Sequence, residues 1–290
     1  MRWKAKAVSH GAVTIINAIA MGKGATLGID LWTKAEVELT EEKGEIKGEI
    51  VTDPNESTIL IEKAVLRVLK YFNLQDRFGA RVKTWSNIPI ARGLKSSSVA
   101  ANAIVLATVA ALGKSLDDLS IVNLGVDAAI DAGVTITGAF DDACGSYFGG
   151  IIVTDNMRRK IVKKFRVNED VRVVLYVPRR KSYTGKSDVK RMRGVASLVE
   201  VAYEEAVKGN YWTALTLNGL IYSSALGYNP SIAIEALMNG AIAAGLSGTG
   251  PSFAAIVPTD KVDEVRETWK KYEGDILLAH INNEKARVVN

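Results

Sequence analysis

Apolar and polar positions along the chain follow two rhythms that lay out its elements. TKAEVELT (33–40) alternates apolar and polar residues one by one, the pattern of a half-buried strand. Over residues 58–72, Ile59, Ile61, Ala64, Val65, Val68, Leu69 and Phe72 recur at helical spacing, which predicts an amphipathic helix. ARVKTW (80–85) predicts another strand. IPIARGLKSSSVAANAI (88–104) leads into a long uncharged helix, and a second helix follows from about 116 to 131. Ser115, three residues before Asp118, predicts a capping box at that start. GAFDDACGSYFGGIIVT (138–154) reads as a loop running into a strand.

The second half begins near residue 158. VRVVLYV (171–177) has the continuous apolar run of a buried strand and is stopped by Pro178. Residues 188–240 read as mostly helical, broken at Gly209-Asn210 and at Gly227-Tyr228-Asn229-Pro230. SFAAIV, KVDEVRETWKKY and DILLAHI then predict strand, helix and strand. The expected total is an α+β chain in two lobes, 1–155 and 156–290, without an obvious linker. No internal repeat marks a solenoid.

Composition narrows the function classes. The 290 residues are 48% hydrophobic and 24% charged, ordinary globular usage, with a net charge of +5. A positive balance suits nucleic acid, an anionic membrane surface or small anionic substrates. The cations are scattered, however, and no run is longer than three, as at Arg179-Arg180-Lys181. Aromatic residues do not interleave with them, which argues against a nucleic-acid binder. Cys144 is the only cysteine, so no intrachain disulfide forms, and His10 and His280 are too few for a Cys/His zinc cluster. A reducing, cytoplasmic setting is expected.

The basic start followed by AVSHGAVTIINAIAMG has the outline of an export signal. Ser9, His10, Thr14 and Asn17 interrupt its apolar part with groups an export segment has no use for. The uncharged stretches 96–113 and 236–257 are rich in Ala, Gly and Ser, and the second is broken by GTGP, so neither reads as a membrane span.

The helix entry at 88–104 raises the chemical question. A helix N-terminus leaves backbone N–H groups unpaired and carries partial positive charge. Gly93 permits close backbone approach, Ser96, Ser97 and Ser98 add hydroxyls, and Lys95 adds a full charge, a construction suited to a polyphosphate. Taken alone it is equally a serine-capped, Ala-rich helix packed in the core. TGKSD (184–188) contains the Gly-Lys-Ser of a Walker loop, but the required earlier glycine falls at Arg180 and no apolar strand flows into it. It is not read as a phosphate loop.

Other stretches, taken together, decide between these readings. IPIARGLKSS fits P-x-x-x-G-L-x-S-S and resembles the nucleotide loop of the GHMP kinases, the superfamily of galactokinase, homoserine kinase, mevalonate kinase and phosphomevalonate kinase. GLSGTGPSFAAIV (245–257) resembles the Gly-rich C-terminal motif of that superfamily. Most of its members have Gly where this chain has Lys95, and they open with a motif that SHGAVTIINA matches poorly. SHGAVTIINAIAMGKGATLGIDL (9–31), GLKSSS and TGAFDDACGSYFGG (137–150) resemble instead the archaeal-type shikimate kinases. Another small-alcohol kinase, such as a homoserine or mevalonate kinase, is the alternative.

The resemblance implies a two-lobed fold, with an S5-like α/β N-terminal lobe and a ferredoxin-like C-terminal lobe. It implies phosphoryl transfer from ATP, with Mg2+, to the shikimate 3-hydroxyl, a step toward chorismate and aromatic amino acids. Pro89, Ile90, Ala91, Arg92, Gly93, Leu94, Lys95, Ser96, Ser97, Ser98, Gly248 and Gly250 would then bind ATP, with Gly245, Gly248 and Gly250 permitting tight backbone turns near the phosphate loop. Ser97 would face the metal with a helix carboxylate, Asp127 being a nearer match than Asp131. Asp141 and Asp142 are the catalytic candidates, Asp141 first. Two acids in a small-residue stretch are costly to bury without a partner, and one could take the proton of a hydroxyl. The plainer reading is a loop held by Asx-type bonds. Ser9, His10, Thr14, Asn17 and Asp30 would line the acceptor pocket, unless His10 is a structural histidine. Lys23 and Arg92 are candidate partners of the acceptor carboxylate, and Cys144 reads as a small packed residue. The implied partners are small molecules, not nucleic acid or membrane, with a homodimer left open.

Overall fold

The computed structural model describes residues 3–180, 182 and 188–290. Its first sheet grows from a long antiparallel hairpin, β1 (Lys4–Ile16) and β2 (Lys23–Thr40). β2 is long enough to serve two neighbours on its other edge. Thr33 to Thr40 pair with β4 (Gly79–Ser86), and Lys23 to Leu27 pair with β5 (Ile151–Asp155). β3 (Ile46–Ile50) adds parallel to β4, and β6 (Lys160–Phe165) adds antiparallel to β5. β11 (Arg287–Val289) closes the far edge against β1. From Gly24 to Ile29 β2 is buried at every residue, whereas beyond Asp30 exposure alternates. The period-two pattern is therefore legible only in its second half.

Helices α1 (Ile59–Tyr71), α2 (Ser96–Ala111), α3 (Asp118–Asp131) and α4 (Phe140–Phe148) cover one face of this sheet. α2 lies on β1 and β2 and is flanked by the other three helices, so it needs no polar face. Its uncharged sequence follows from that position. α3 starts one residue after its cap: Asp117, not Ser115, accepts the N–H of Ser120 at 2.9 Å. The stretch expected as a loop before β5 is in fact α4, nine residues long, entered through Ala139 and left through Gly149.

The second sheet holds β7 (Val171–Pro178), β8 (Ala243–Leu246), β9 (Phe253–Pro258) and β10 (Gly274–Ala279) in the antiparallel order β10-β7-β9-β8. Between β7 and β8 run α5 (Val189–Gly194), α6 (Ala196–Lys208), α7 (Tyr211–Leu226) and α8 (Ser231–Met238). α9 (Val262–Trp269) joins β9 to β10. This is the split β-α-β arrangement of a ferredoxin-like lobe. By sheet membership, β6 and β11 go with the first sheet, so a division at 155/156 falls between two paired strands. One apolar core runs through both sheets, with Val13, Ile15 and Leu27 beside Leu175, Tyr222 and Phe253. A second lies under α1 to α4. Among the described residues no helix is long and apolar enough to cross a membrane. The TGKS run, 184–187, and Lys181 lie outside the described residues.

Candidate active site

The chain enters α2 through three left-handed residues, Ala91, Gly93 and Lys95, with φ of 55°, 82° and 65°. For a residue with a Cβ that conformation costs about 1 kcal/mol. Lys95 is the cap residue, and no side chain caps the helix. The N–H groups of Ser96, Ser97 and Ser98 thus have no partner within α2. All three serines line a cavity of about 670 Å³. Gly93 cannot be another residue without disturbance, since a Cβ there would stand 2.4 Å from the carbonyl oxygen of Ser247.

That close approach is where the turn after β8 docks on the α2 entry. Ser247 Oγ donates to Gly93 O at 2.8 Å, and Ser252 N donates to Arg92 O at 3.2 Å. The end of β1 grips the same turn from the other side. Thr14 Oγ1 accepts from Gly248 N at 2.8 Å, and Asn17 Nδ2 donates to Gly248 O at 2.9 Å. Three segments far apart in sequence are therefore fixed together around the α2 entry.

The opposite wall is the first turn of α4. Its cap, Ala139, is also left-handed (φ 50°), and Asp141 and Asp142 follow at once. Asp141 lines the cavity yet is only 4% exposed. Burial foremost, and then the Asp142 charge, push its pKa up to about 7, against the pull of Lys95 and of Asn156. Asn156 Nδ2 donates to Asp141 Oδ1 at 2.7 Å and is itself oriented by Thr154 Oγ1, which donates to Asn156 Oδ1 at 2.7 Å. Gly24 of β2 makes room for the carboxylate, because a Cβ there would lie 2.4 Å from Asp141 Oδ2. Thr26 Oγ1 donates to Asp141 O at 3.0 Å. Asn102 of α2 ties the two walls together by donating to Ala143 O and to Ser146 Oγ, each at 2.9 Å.

Lys95 reaches across the cavity. Its ammonium stands 3.0 Å from Asp142 Oδ1, an ion pair with side-chain exposures of 8% and 17%. That oxygen is buried and accepts no hydrogen bond, so its acceptor capacity is intact. The remaining walls come from Ile50, Ser57, Leu60, Thr84 and Ser86, and from the α3–α4 connection with Thr135 and Thr137. A cavity with an anion-binding helix entry on one side and a buried carboxylate near neutrality on the other is suited to moving a phosphoryl group onto a hydroxyl.

Of the residues expected at the site, Ile90, Ala91, Gly93, Lys95, Ser96, Ser97, Ser98, Gly248, Asn17, Asp141 and Asp142 line this cavity. Pro89, Arg92, Leu94 and Gly250 shape the loops without lining it: Leu94 is in the core, Arg92 donates to Pro178 O, and Gly250 packs against the Tyr228 ring. Gly245 is not in a turn but in β8, against Gly219 of α7.

The acceptor-pocket expectation is corrected for four residues. Ser9 Oγ donates to Ser146 O at 2.9 Å inside the core, and Thr14 holds the Gly248 turn. Asp30 lies elsewhere, 2.9 Å from His280 Nδ1. His10 sits near Asp30, Glu284 and Arg287, its pKa lowered chiefly by burial. Asp127 is likewise outside the cavity, 2.7 Å from Arg159 Nη2, and Asp131 is paired with Arg67. Lys23 pairs with Glu200 at 2.7 Å, and Cys144 is buried with its thiol pKa pushed up. Sequence reasoning missed Gly24, Thr26, Asn102, Thr154 and Asn156. A polar residue in an apolar strand was the only signal, and it does not say what the group faces.

Among the described residues no group of three or more His, Cys, Asp or Glu could hold a metal by itself. The serine hydroxyls of the cradle and the carboxylates of α4 are hard oxygen donors, which fits a Mg2+ ion that keeps waters and is carried largely by phosphates. Ser96, Ser97 and Ser98 all bring hydroxyls to the cavity.

The chain matches the GHMP kinases N terminal domain over residues 60–150 and the GHMP kinases C terminal region over residues 229–274. It is 48% identical to the shikimate kinase of Methanosarcina mazei, covering 99% of this chain and 97% of that one. Identity and coverage are the same for the shikimate kinase of Methanosarcina acetivorans. The homoserine kinase structure from Cytophaga hutchinsonii superposes with a TM-score of 0.76 over 100% of this chain and 98% of that one, at 16% identity.

Proposed function

This chain belongs to the GHMP kinase family, and from that premise we propose that it is an ATP-dependent kinase whose acceptor is the 3-hydroxyl of shikimate. One observation carries the reading. The first turns of α2 and α4 open on the same cavity, one as a cradle of serines and N–H groups, the other with the buried Asp141. Full-length relatives named shikimate kinase supply the acceptor.

The N–H groups and hydroxyls of Ser96, Ser97 and Ser98 hold the triphosphate at the helix N-terminus. Mg2+, when bound, offsets phosphate charge, with Ser97 as its protein contact. Asp141 accepts the proton of the shikimate hydroxyl. The acceptor oxygen bonds to the γ-phosphorus, the bond from that phosphorus to the β–γ bridging oxygen breaks, and ADP leaves with the electron pair. Asn156 and Gly24 keep the Asp141 carboxylate turned into the cavity. The small-molecule product places the chain on the route to chorismate and aromatic amino acids. One copy of the chain carries every residue named here. The single free thiol, Cys144, agrees with a cytoplasmic setting.

A coupled assay of ADP release against shikimate, homoserine and mevalonate tests the acceptor. ADP is expected with shikimate. Release with homoserine or mevalonate alone removes the acceptor assignment and leaves the kinase. Asn156→Ala tests the setting of the base. It withdraws a hydrogen bond that favours the Asp141 anion, so the acid limb of kcat/KM should move to higher pH, with kcat at pH 7 reduced about tenfold. An unmoved limb would show that Asn156 does not tune Asp141.

A further inference from the structure

Building on the cavity as a site for ATP, we propose that Lys95 is a catalytic residue whose ammonium, braced on Asp142, holds the phosphoryl group while it is transferred. The backbone conformation is the first reason. Lys95 has φ 65°, the left-handed region in which glycine is unstrained and any other residue is not. The chain bears that cost at Lys95, and the position of the side chain is the second reason.

What it reaches is specific. The ammonium is 3.0 Å from Asp142 Oδ1 in the first turn of α4, with only 8% of the side chain exposed. On its other side is the turn after β8, where a Cβ on Gly248 would come within 3.0 Å of Nζ. The charge is thus held between the α4 carboxylates and the turn that closes the phosphate cradle. Among the described residues lining the cavity, Lys95 is the only Lys or Arg.

The chemistry requires a cation there. Transfer brings a phosphoryl group, with negative charge on three oxygens, beside two aspartates. As the acceptor oxygen bonds to phosphorus, the bond to the ADP oxygen breaks and the acceptor proton passes to Asp141. Unopposed, the Asp142 charge would repel the group at that moment. An ammonium has three N–H donors. The 3.0 Å ion pair with Asp142 Oδ1 takes up no hydrogen bond, so these donors remain for phosphoryl oxygens and the same charge can serve both anions. Lys95 is then selective for the group being transferred over the phosphates that stay with ADP.

Lys95→Gly is the informative variant, because glycine suits this backbone conformation and the fold should persist, as read by thermal unfolding. Its kcat should fall about a hundredfold, as when one charge-stabilising donor is removed, with KM for shikimate within about threefold. Calorimetric titration should show ADP binding within about threefold of the parent while a non-hydrolysable ATP analogue loses about tenfold, the size of effect expected for one charge-assisted contact. Lys95→Arg should recover part of kcat. Lys95→Met, which keeps the aliphatic stem, gives the same comparison should the glycine variant not fold. A kcat within threefold of the parent, or equal weakening of ADP and the triphosphate analogue, overturns the proposal. If the parent binds neither nucleotide, the ATP reading beneath it falls instead.

Discussion

Asp141→Asn is expected to lower kcat about a thousandfold and, at the same time, to raise the thermal midpoint. The loss follows from removing the group that takes the acceptor proton, an effect typically between a hundredfold and ten-thousandfold. The gain in stability follows from the burial of that same group. An unfolded aspartate gives up its proton near 3.8, while in the fold burial and the Asp142 charge hold it until about 7. Between those pH values the folded chain binds the extra proton, so stability falls as pH rises, by about 4 kcal/mol at most. Asparagine has no charge to bury and keeps an oxygen for the Asn156 N–H. The midpoint should therefore rise by several degrees at pH 8 and change little at pH 4. In the parent, kcat/KM should fall on the acid side of about pH 7 as Asp141 takes up its proton. A variant that is slow but no more stable at pH 8 would contradict the buried charge. One that keeps its rate would remove Asp141 as the base.

The second large effect is expected at Gly93. In Gly93→Ala the new methyl meets the Ser247 carbonyl, for which the 2.4 Å approach leaves no room. Backbone, not a flexible side chain, must then move. Left-handed strain adds to the displacement, for a combined loss of about 2–4 kcal/mol in unfolding free energy. The functional damage should exceed the structural. Separating the α2 entry from the 247–252 turn breaks the Ser247–Gly93 hydrogen bond and opens the cradle, so KM for ATP should rise at least about tenfold and kcat fall about a hundredfold. KM for shikimate should change far less. Denaturant unfolding and initial-rate kinetics check both parts, and a parental KM for ATP would show that the turn is not part of the cradle.

What was legible in the sequence is what is local. Gly93, Lys95 and Ser97 occupy one short stretch whose helix-entry chemistry is complete in itself, and all three line the cavity. Asp141 and Asp142 stood out as acids among small residues, although four glycines nearby disguised α4 as a loop. The environment that makes Asp141 a base is not local. Thr154 and Asn156 come from the far end of β5, the strand that follows α4, and Gly24 and Thr26 from β2, brought there by its pairing with β5. The polar residues of β1 show the same limit. Ser9, Thr14 and Asn17 look alike along the strand, yet Ser9 and Thr14 satisfy interior backbone groups and Asn17 alone lines the cavity. A buried polar residue announces that it needs a partner, not whether the partner is protein or substrate. Asp127 fails for a related reason: its helix face turns to Arg159, a residue from beyond β5.

The closing of the first sheet by β11 bears on how the chain matures. Lys6, Ala7 and Val8 find their outer partners only at Arg287, Val288 and Val289. The same terminal segment fastens α4 from behind, where Ala286 N donates to Tyr147 O and Gly150 N donates to Asn282 O. During synthesis the lobe made first thus waits for residues about 280 positions later, and such distant pairing is slow to form. The outer edge of β1 has this strand partner only once residues 287–289 are made, after the whole second lobe.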